Sequence, residues 1–141
     1  MQDKIFLDSN IILYAFSNHY TKKNIAKDLL KRKPILSIQT INEVSNILFK
    51  KLNFKVEMVN QVIDVLKSKT EIKLISLSTI IIALKIKSRY KYSYYDSLII
   101  ASAIENNCNV LYSEDMQHNQ MINDTLKIIN PFVKGESHAY K

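Results

Sequence analysis

Glycine is almost absent from the sequence, in which Gly135 is the only one among 141 residues. A glycine-rich loop that wraps phosphates needs several glycines, because its backbone must turn sharply and approach the ligand closely. The sequence therefore excludes the kinase and dinucleotide-enzyme classes that depend on such loops. Asn53 and the pair Asn106 and Asn107 are expected to take the left-handed positions at helix ends where glycine is usual.

Cysteine and long apolar runs are also scarce. Cys108 is alone, which excludes an internal disulfide and a cysteine-built zinc site, and we expect it to pack as a small buried hydrophobe. The longest uncharged apolar stretch, residues 74–84, falls well short of the roughly 18 residues that a membrane span requires. The first residues do not resemble a secretory signal, so the expected location is cytoplasmic. The histidines lack the paired spacing of a zinc site, and we expect all of them at the surface: His19, His118 and His138.

The balance of charge is basic, with a formal net charge of +7. This favours a polyanionic partner such as nucleic acid, or an acidic protein surface. The basic residues of the first half would form a rim that grips phosphates, or simply solvated helix faces: Lys22, Lys23, Lys27, Lys31, Arg32, Lys33, Lys50, Lys51 and Lys55. A tyrosine cluster would stack on unpaired bases, or pack at the start of a buried helix: Tyr90, Tyr92, Tyr94 and Tyr95.

Short apolar runs alternate with longer segments of helical spacing. Strands are predicted at 5–7, 35–38, 72–75, 110–112 and 127–129, and helices at 11–16, 22–31, 40–52, 56–66, 78–89 and 96–106. This alternation predicts a single α/β domain over residues 1–133, with a mostly parallel central sheet flanked by helices on both faces. Residues 134–141 are polar and unpatterned, and we expect a frayed tail.

Four acidic residues stand near predicted element ends, and each has a purely structural interpretation. Asp8 follows the first strand and would cap the next helix. Glu43 is the third residue after Thr40, which is the spacing of a capping box. Asp96 falls in a first helical turn, where the helix dipole favours an acid, and Asp115 lies in a turn after a strand. Taken singly, none of them demonstrates a functional site.

The positions of these acids in the predicted sheet suggest a common site. Ligands of open parallel sheets bind at the carboxyl ends of strands, beside the point where the strand order reverses. If the first and fourth strands are neighbours, Asp8 and Asp115 face each other, and Glu43 and Asp96 can complete a cluster. Such a cluster raises the pKa of its own members, and a hard divalent cation is the usual compensation. Oxygen ligands favour Mg²⁺ or Mn²⁺ over zinc.

The same acids lie in segments that carry a family resemblance. Four segments resemble the PIN-domain family in their order and spacing: Phe6-Leu7-Asp8-Ser9-Asn10, Thr40-Ile41-Asn42-Glu43, Tyr95-Asp96-Ser97-Leu98-Ile99 and Ser113-Glu114-Asp115-Met116. The match spans residues 4–131, and its last two segments resemble the VapC-type toxin ribonucleases of type II toxin–antitoxin systems. Asn119 stands where many relatives have glycine, and asparagine tolerates the left-handed geometry needed there.

The resemblance implies roles for particular residues. Asp8, Glu43, Asp96 and Asp115 are the implied ligands of Mg²⁺ or Mn²⁺, and Glu114 is adjacent to them. Ser9 and Ser113 are implied to support the acids by hydrogen bonds.

The resemblance also implies a function. It implies a metal-dependent endoribonuclease that hydrolyses RNA phosphodiester bonds, inhibited by a cognate antitoxin and expected to form a homodimer. One alternative is a catalytically silent domain that binds nucleic acid or protein and uses its acids only as caps. A phosphatase or response-regulator-like domain is another, although such domains concentrate their acids after the first strand.

Two neighbouring predicted helices, between residues 40 and 67, carry more apolar residues than one core-facing stripe needs. We expect the surplus, which includes Val59 and Ile63, to form a groove for an amphipathic antitoxin segment. A place in the core or in a homodimer contact is the alternative.

Overall fold

The computed structural model describes residues 3–133, so the predicted tail at 134–141 lies outside the described residues. The strands are β1 (Ile5–Leu7), β2 (Ile35–Ser37), β3 (Glu71–Lys73), β4 (Val110–Tyr112), β5 (Met121–Ile122) and β6 (Leu126–Ile129). The helices are α1 (Ser9–Ala15), α2 (Tyr20–Leu30), α3 (Ile38–Lys50), α4 (Val56–Lys69), α5 (Leu77–Tyr90) and α6 (Tyr94–Glu105).

The strands form one sheet in the order β3-β2-β1-β4-β6-β5. All neighbours are parallel except β5 and β6, which are antiparallel. Strand β1 lies between β2 and β4, so the strand order reverses between β1 and β4. The predicted α/β fold with a mostly parallel sheet is therefore confirmed, and the reversal point marks where a ligand site is expected.

Helices cover both faces of this sheet because successive strand residues point to opposite sides. Ile5 and Leu7 belong to a buried cluster with residues of α1, α2, α3 and α4. Phe6, between them in sequence, belongs to a second cluster with residues of α5, α6 and β6. Burying a side chain such as Leu7 contributes about 2 kcal/mol to stability.

Helix α3 begins earlier than predicted. The Ser37 side chain caps it by accepting a hydrogen bond from the backbone N–H of Thr40 at 3.1 Å. Thr40 is therefore the third residue of the helix, and Glu43 lies one turn further in. The capping-box interpretation of Glu43 is wrong, because Ser37 ends the strand and starts the helix.

The scarcity of glycine leaves other residues in left-handed backbone conformations. Asn53 (φ 54°), Asn107 (φ 60°) and Asn119 (φ 68°) have positive φ, as predicted. Asn106 does not, because it is the C-cap of α6 with φ −94°. Lys91 also takes this conformation at the end of α5, with φ 67°. For a residue with a side chain this costs about 1 kcal/mol.

The predicted apolar groove on α3 and α4 is wrong. Val59 is 4% exposed and packs in the first core cluster, and Ile63 is partly buried against the same cluster. Of the other apolar residues of that prediction, Ile47 is only partly buried, and four are core residues: Val44, Leu48, Val62 and Leu66. Cys108 is buried, as predicted. In residues 3–133 we find no helix with the length and apolar character needed to cross a membrane.

Candidate active site

Asp8 occupies the carboxyl end of β1, at the reversal point of the sheet. Its backbone N–H donates to the carbonyl of Tyr112 at 3.0 Å, which attaches the end of β1 to β4. The carboxylate is 4% exposed and accepts hydrogen bonds from the Ser9 backbone N–H at 2.7 Å and the Ser113 hydroxyl at 2.8 Å. The predicted cap is thus real, but Asp8 is also buried at a position where strand ends meet.

Burial raises the pKa of Asp8 to about 7. The hydrogen bonds from Ser113 and Ser9 oppose this rise, and the negative charges of Asp96 and Glu43 add to it. Removing a carboxylate from water costs free energy unless a compensating charge is present. Asp8 is therefore poised to gain from a nearby cation.

Glu43 and Asp96 reach the same place from two helices, α3 and α6. Both are half-buried, and desolvation raises the pKa of each. Hydrogen bonds from Gln39 and Ser9 partly offset the rise for Glu43, and the charge of Asp96 increases it. The backbone N–H of Asp96 donates to the Ser93 side chain at 3.2 Å, so α6 begins at Tyr94, two residues earlier than predicted, and Asp96 lies in its first turn as predicted.

Asn10 connects the ends of β1 and β4, and the sequence did not single it out. Its side-chain amide donates to Asp115 Oδ2 at 3.1 Å and more weakly to Asp8 Oδ2 at 3.5 Å. Its Oδ1 accepts from the backbone N–H of Glu114 at 3.2 Å. Asp115 itself is exposed. Asn10 therefore holds the turn after β4 against the first helix.

These groups line one open cavity of about 200 Å³, which we call the acid cavity: Asp8, Ser9, Asn10, Glu43, Asn46, Ile47, Asp96 and Asp115. The structure thus brings all four predicted acids together. Their metal-binding and catalytic roles stay predictions. In the described part of the chain, no three Asp, Glu, His or Cys side chains are grouped closely enough to hold an ion between them. Like charges favour such separation, while the oxygen-only side-chain donors suit Mg²⁺ or Mn²⁺.

Glu114 points elsewhere. Its carboxylate accepts a hydrogen bond from the Tyr14 hydroxyl at 2.7 Å and pairs with the Lys22 ammonium. Burial alone would raise the pKa of Glu114, but the hydrogen bonds from Lys22 and Tyr14 outweigh it and lower the pKa. Glu114 does not line the acid cavity, and Lys22 of the predicted basic rim is engaged in this pair.

Of the histidines in residues 3–133, neither His19 nor His118 lines the acid cavity. His19 is exposed, as predicted, and its Nδ1 accepts from the backbone N–H of Lys22 at the start of α2. His118 departs from the prediction, because it is only partly exposed and its Nδ1 accepts from the backbone N–H of Asn130 at 2.9 Å. His138 lies outside the described residues.

Residues 5–122 match the model of the PIN domain, so the chain belongs to the PIN domain family. Solved structures of the same fold include a toxin–antitoxin complex from Klebsiella pneumoniae, at 21% identity, coverage of 92% of this chain and 98% of that chain, and TM-score 0.69. Another is VapBC2 from Rickettsia felis bound to a DNA fragment from its promoter. It matches at 21% identity, with coverage of 88% of this chain and 96% of that chain and a TM-score of 0.67.

A third structure is VapC20 of Mycobacterium tuberculosis, described as a sarcin–ricin loop cleaving toxin. It matches at 16% identity, with coverage of 77% of this chain and 87% of that chain and a TM-score of 0.64. At these identities the likeness shows a shared fold. No curated protein matches the chain significantly.

Proposed function

We propose that the protein is a Mg²⁺- or Mn²⁺-dependent endoribonuclease and the toxin of a toxin–antitoxin pair. The observation that carries the proposal is the acid cavity, where carboxylates from four separate segments of the chain line one space beside the reversal point of the sheet. Membership of the PIN domain family supports a nuclease. The likeness to VapC20, a toxin described as cleaving the sarcin–ricin loop, favours RNA as the substrate. We also propose a cytoplasmic location, where cellular RNA would be available as the substrate.

The chain's own residues would hold and orient the reacting groups. Divalent ions, when bound, lower the pKa of an attacking water and neutralise charge on the scissile phosphate. Asp8, Glu43, Asp96 and Asp115 would hold the ions. Asp8 is already fixed by hydrogen bonds from two sides, so its orientation does not depend on the ion. No side chain of the acid cavity has to form a covalent intermediate in this reaction.

Supporting residues position the acids. Ser113 is fully buried and donates to Asp8, and the Ser9 side chain contacts Glu43. Asn10 holds Asp115 through the bond at 3.1 Å. Since a misplaced ligand weakens a metal site strongly, these contacts would contribute to activity without touching the substrate.

Cleavage of matched RNA and DNA oligonucleotides of the same sequence tests this function. The reaction is followed on a gel with EDTA, with Mg²⁺ and with Mn²⁺. We expect internal cleavage of the RNA only when one of the two ions is present. RNA that is bound but uncleaved under every condition would favour the alternative, a catalytically silent binding domain.

The homodimer part of the proposal is supported by an exposed apolar stripe on α5. Leu77, Ile81 and Leu84 are 72%, 47% and 54% exposed and share one helical face. Such a stripe is unusual on a monomer surface and suits a contact with a second copy. Ile81→Glu should give a monomer in light scattering, while Met58→Glu, at a position of similar exposure on α4, should not. A monomeric wild-type protein would contradict this part.

An antitoxin would have to bind elsewhere than the predicted groove, because most of the groove residues on α3 and α4 are buried in the core. An apolar cavity of about 250 Å³ borders the acid cavity and includes Leu13, Tyr14, Ile47 and Leu52. We propose that a segment of the antitoxin covers this cavity and reaches a basic side chain towards the acids. Leu52 is 48% exposed, so the variant Leu52→Asp should still fold. In a pull-down it should no longer capture the antitoxin, taken as the product of the neighbouring open reading frame. Unchanged capture would refute the docking surface.

A further inference from the structure

A second cavity continues the acid cavity along α3. It has a volume of about 470 Å³ and is lined by Gln39, Asn42, Glu43, Asn46 and Tyr95. We call it the amide cavity. Glu43 and Asn46 line both cavities, so a chain that enters the amide cavity passes directly to the four carboxylates. Any role for the amide cavity should therefore concern a part of the substrate next to the reacting bond.

The amide side chains of this cavity have unused hydrogen-bonding capacity. Asn42 and Asn46 are one helical turn apart, both are exposed, and both line the cavity. Within residues 3–133, neither side chain has a hydrogen-bond partner, whereas Gln39 contacts Glu43. A carboxamide places a donor beside an acceptor, which is the pattern that the edges of nucleobases present. The cavity thus offers two neutral groups whose donors and acceptors can both pair with a base edge, whereas a phosphate would use only the donors.

The tyrosine cluster of the sequence divides into three partly buried packing residues and one exposed ring. The Tyr90 hydroxyl accepts from the Asn123 backbone N–H at 2.9 Å, and the Tyr92 hydroxyl accepts from the Gln117 N–H at 3.2 Å. Both rings pack on the second core cluster.

Tyr95 differs from these tyrosines. It is 57% exposed and lines the amide cavity, and its ring lies 5.5 Å from that of Tyr94, which steadies its position. Tyr94 itself is partly buried against α5 and α6. Tyr95 is therefore the tyrosine of this cluster that can stack on a ligand.

We propose that the amide cavity binds one unpaired nucleobase of the substrate strand, with Tyr95 stacking on the base and Asn42 and Asn46 bonding to its edge. The inference deepens the proposed nuclease function by adding a specificity site beside the acids. It selects single-stranded or looped nucleic acid, because in a duplex the faces of a base are stacked on its neighbours and its Watson–Crick edge is paired. Base–aromatic stacking of this kind typically changes affinity by about 5- to 100-fold.

Fluorescence anisotropy with short labelled strands tests the proposal apart from cleavage. The strands are oligo(rA), oligo(rU), oligo(dA) and an abasic ribose-phosphate chain of equal length. They are titrated with the protein in EDTA and again in calcium, which we expect to permit binding without turnover. Tyr95→Ala should weaken binding of the strands that carry bases by about 5- to 100-fold and leave the abasic chain unaffected. Oligo(dA) shows whether the site requires ribose.

Two further variants separate stacking from structural damage. Tyr95→Phe keeps the aromatic face and should bind like wild type. Tyr20→Ala removes a tyrosine that is 79% exposed on α2 and lines neither cavity, and it should have no effect. Asn42→Ala should weaken binding in a manner that differs between oligo(rA) and oligo(rU).

The outcomes distinguish this inference from the proposed function. Wild-type affinity in Tyr95→Ala, or an equal loss for the abasic chain, would overturn the nucleobase site even if the protein cleaves RNA. Base-dependent binding through Tyr95 without any cleavage would sustain the site and refute the nuclease.

Discussion

The buried carboxylate of Asp8 should make the stability of the protein depend on pH. Burial raises its pKa from 3.8 to about 7. Because the pKa is higher in the folded chain than in the unfolded chain, folding favours the protonated form. The resulting stability is complete below about pH 4 and is lost as the pH rises to about 7. Asp8→Asn removes the titration and keeps a residue type that can cap α1.

The size of the effect follows from the shift. A rise of about three pKa units, at about 1.4 kcal/mol for each unit, corresponds to about 4 kcal/mol. Without divalent ions, Asp8→Asn should therefore exceed wild type by up to about 4 kcal/mol in free energy of unfolding at about pH 8. Near pH 4 the difference should fall below about 1 kcal/mol.

Urea denaturation followed by circular dichroism in EDTA, at several values between about pH 4 and 8, measures this difference. Asp64→Asn is the matched control, because Asp64 is an exposed acid on α4. The free energy of unfolding of the control should change with pH in the same way as that of wild type. If Asp8→Asn also follows the pH dependence of wild type, or is less stable than wild type at about pH 8, burial does not raise the pKa of Asp8 as assigned.

Three further predictions follow from the same contacts. Ser113→Ala removes a hydrogen-bond donor to Asp8. In the same urea denaturation it should lower the free energy of unfolding by about 1–3 kcal/mol above pH 7 and by less near pH 5. Millimolar Mg²⁺ or Mn²⁺ should raise the melting temperature of wild type more than that of Asp8→Asn, and equal shifts would count against ion binding at Asp8. Glu114→Gln should retain cleavage of RNA, because that carboxylate faces Tyr14 and Lys22 outside the acid cavity; a loss as large as that of Asp115→Asn would contradict its placement.

Strands β1, β2, β4 and β6 were predictable because each is a short, mostly apolar run that becomes buried, whereas the run predicted at 72–75 only overlaps β3 (Glu71–Lys73), which is partly exposed. β1 and β4 have the predicted bounds, since Ile5–Leu7 and Val110–Tyr112 are buried along their whole length. β5 was missed because Met121–Ile122 has only two residues and no period to detect. The sequence does carry a signal for the turn between β5 and β6, which is the adjacent pair Asn123 and Asp124, and both residues have positive φ in the structure. Asparagine and aspartate tolerate that conformation, so their adjacency indicates a hairpin.

The acids of the site were predictable for a different reason. Their positions at strand ends and helix starts, together with the order of a parallel sheet, place them at one edge without any distance being known. Asn10 was not predictable in this way, because its role depends on a contact with Asp115, which is 105 residues away in sequence. Asn46 carries no charge either, and its place three residues after Glu43 on one face of α3 gave no reason to single it out before the cavity was seen.

If these carboxylates act together on a phosphodiester bond, Asp96→Asn should cleave RNA far more slowly than wild type. Wild type, Asp96→Asn and Asp124→Asn, whose acid lies in the β5–β6 turn away from the acid cavity, are assayed on one labelled RNA in Mn²⁺. Manganese binding to each is measured by calorimetric titration. We expect Asp96→Asn to lose at least about 100-fold in rate and to bind manganese weakly while remaining folded, and we expect Asp124→Asn to match wild type. If Asp96→Asn binds manganese and cleaves the RNA as fast as wild type, the four carboxylates do not form the catalytic site.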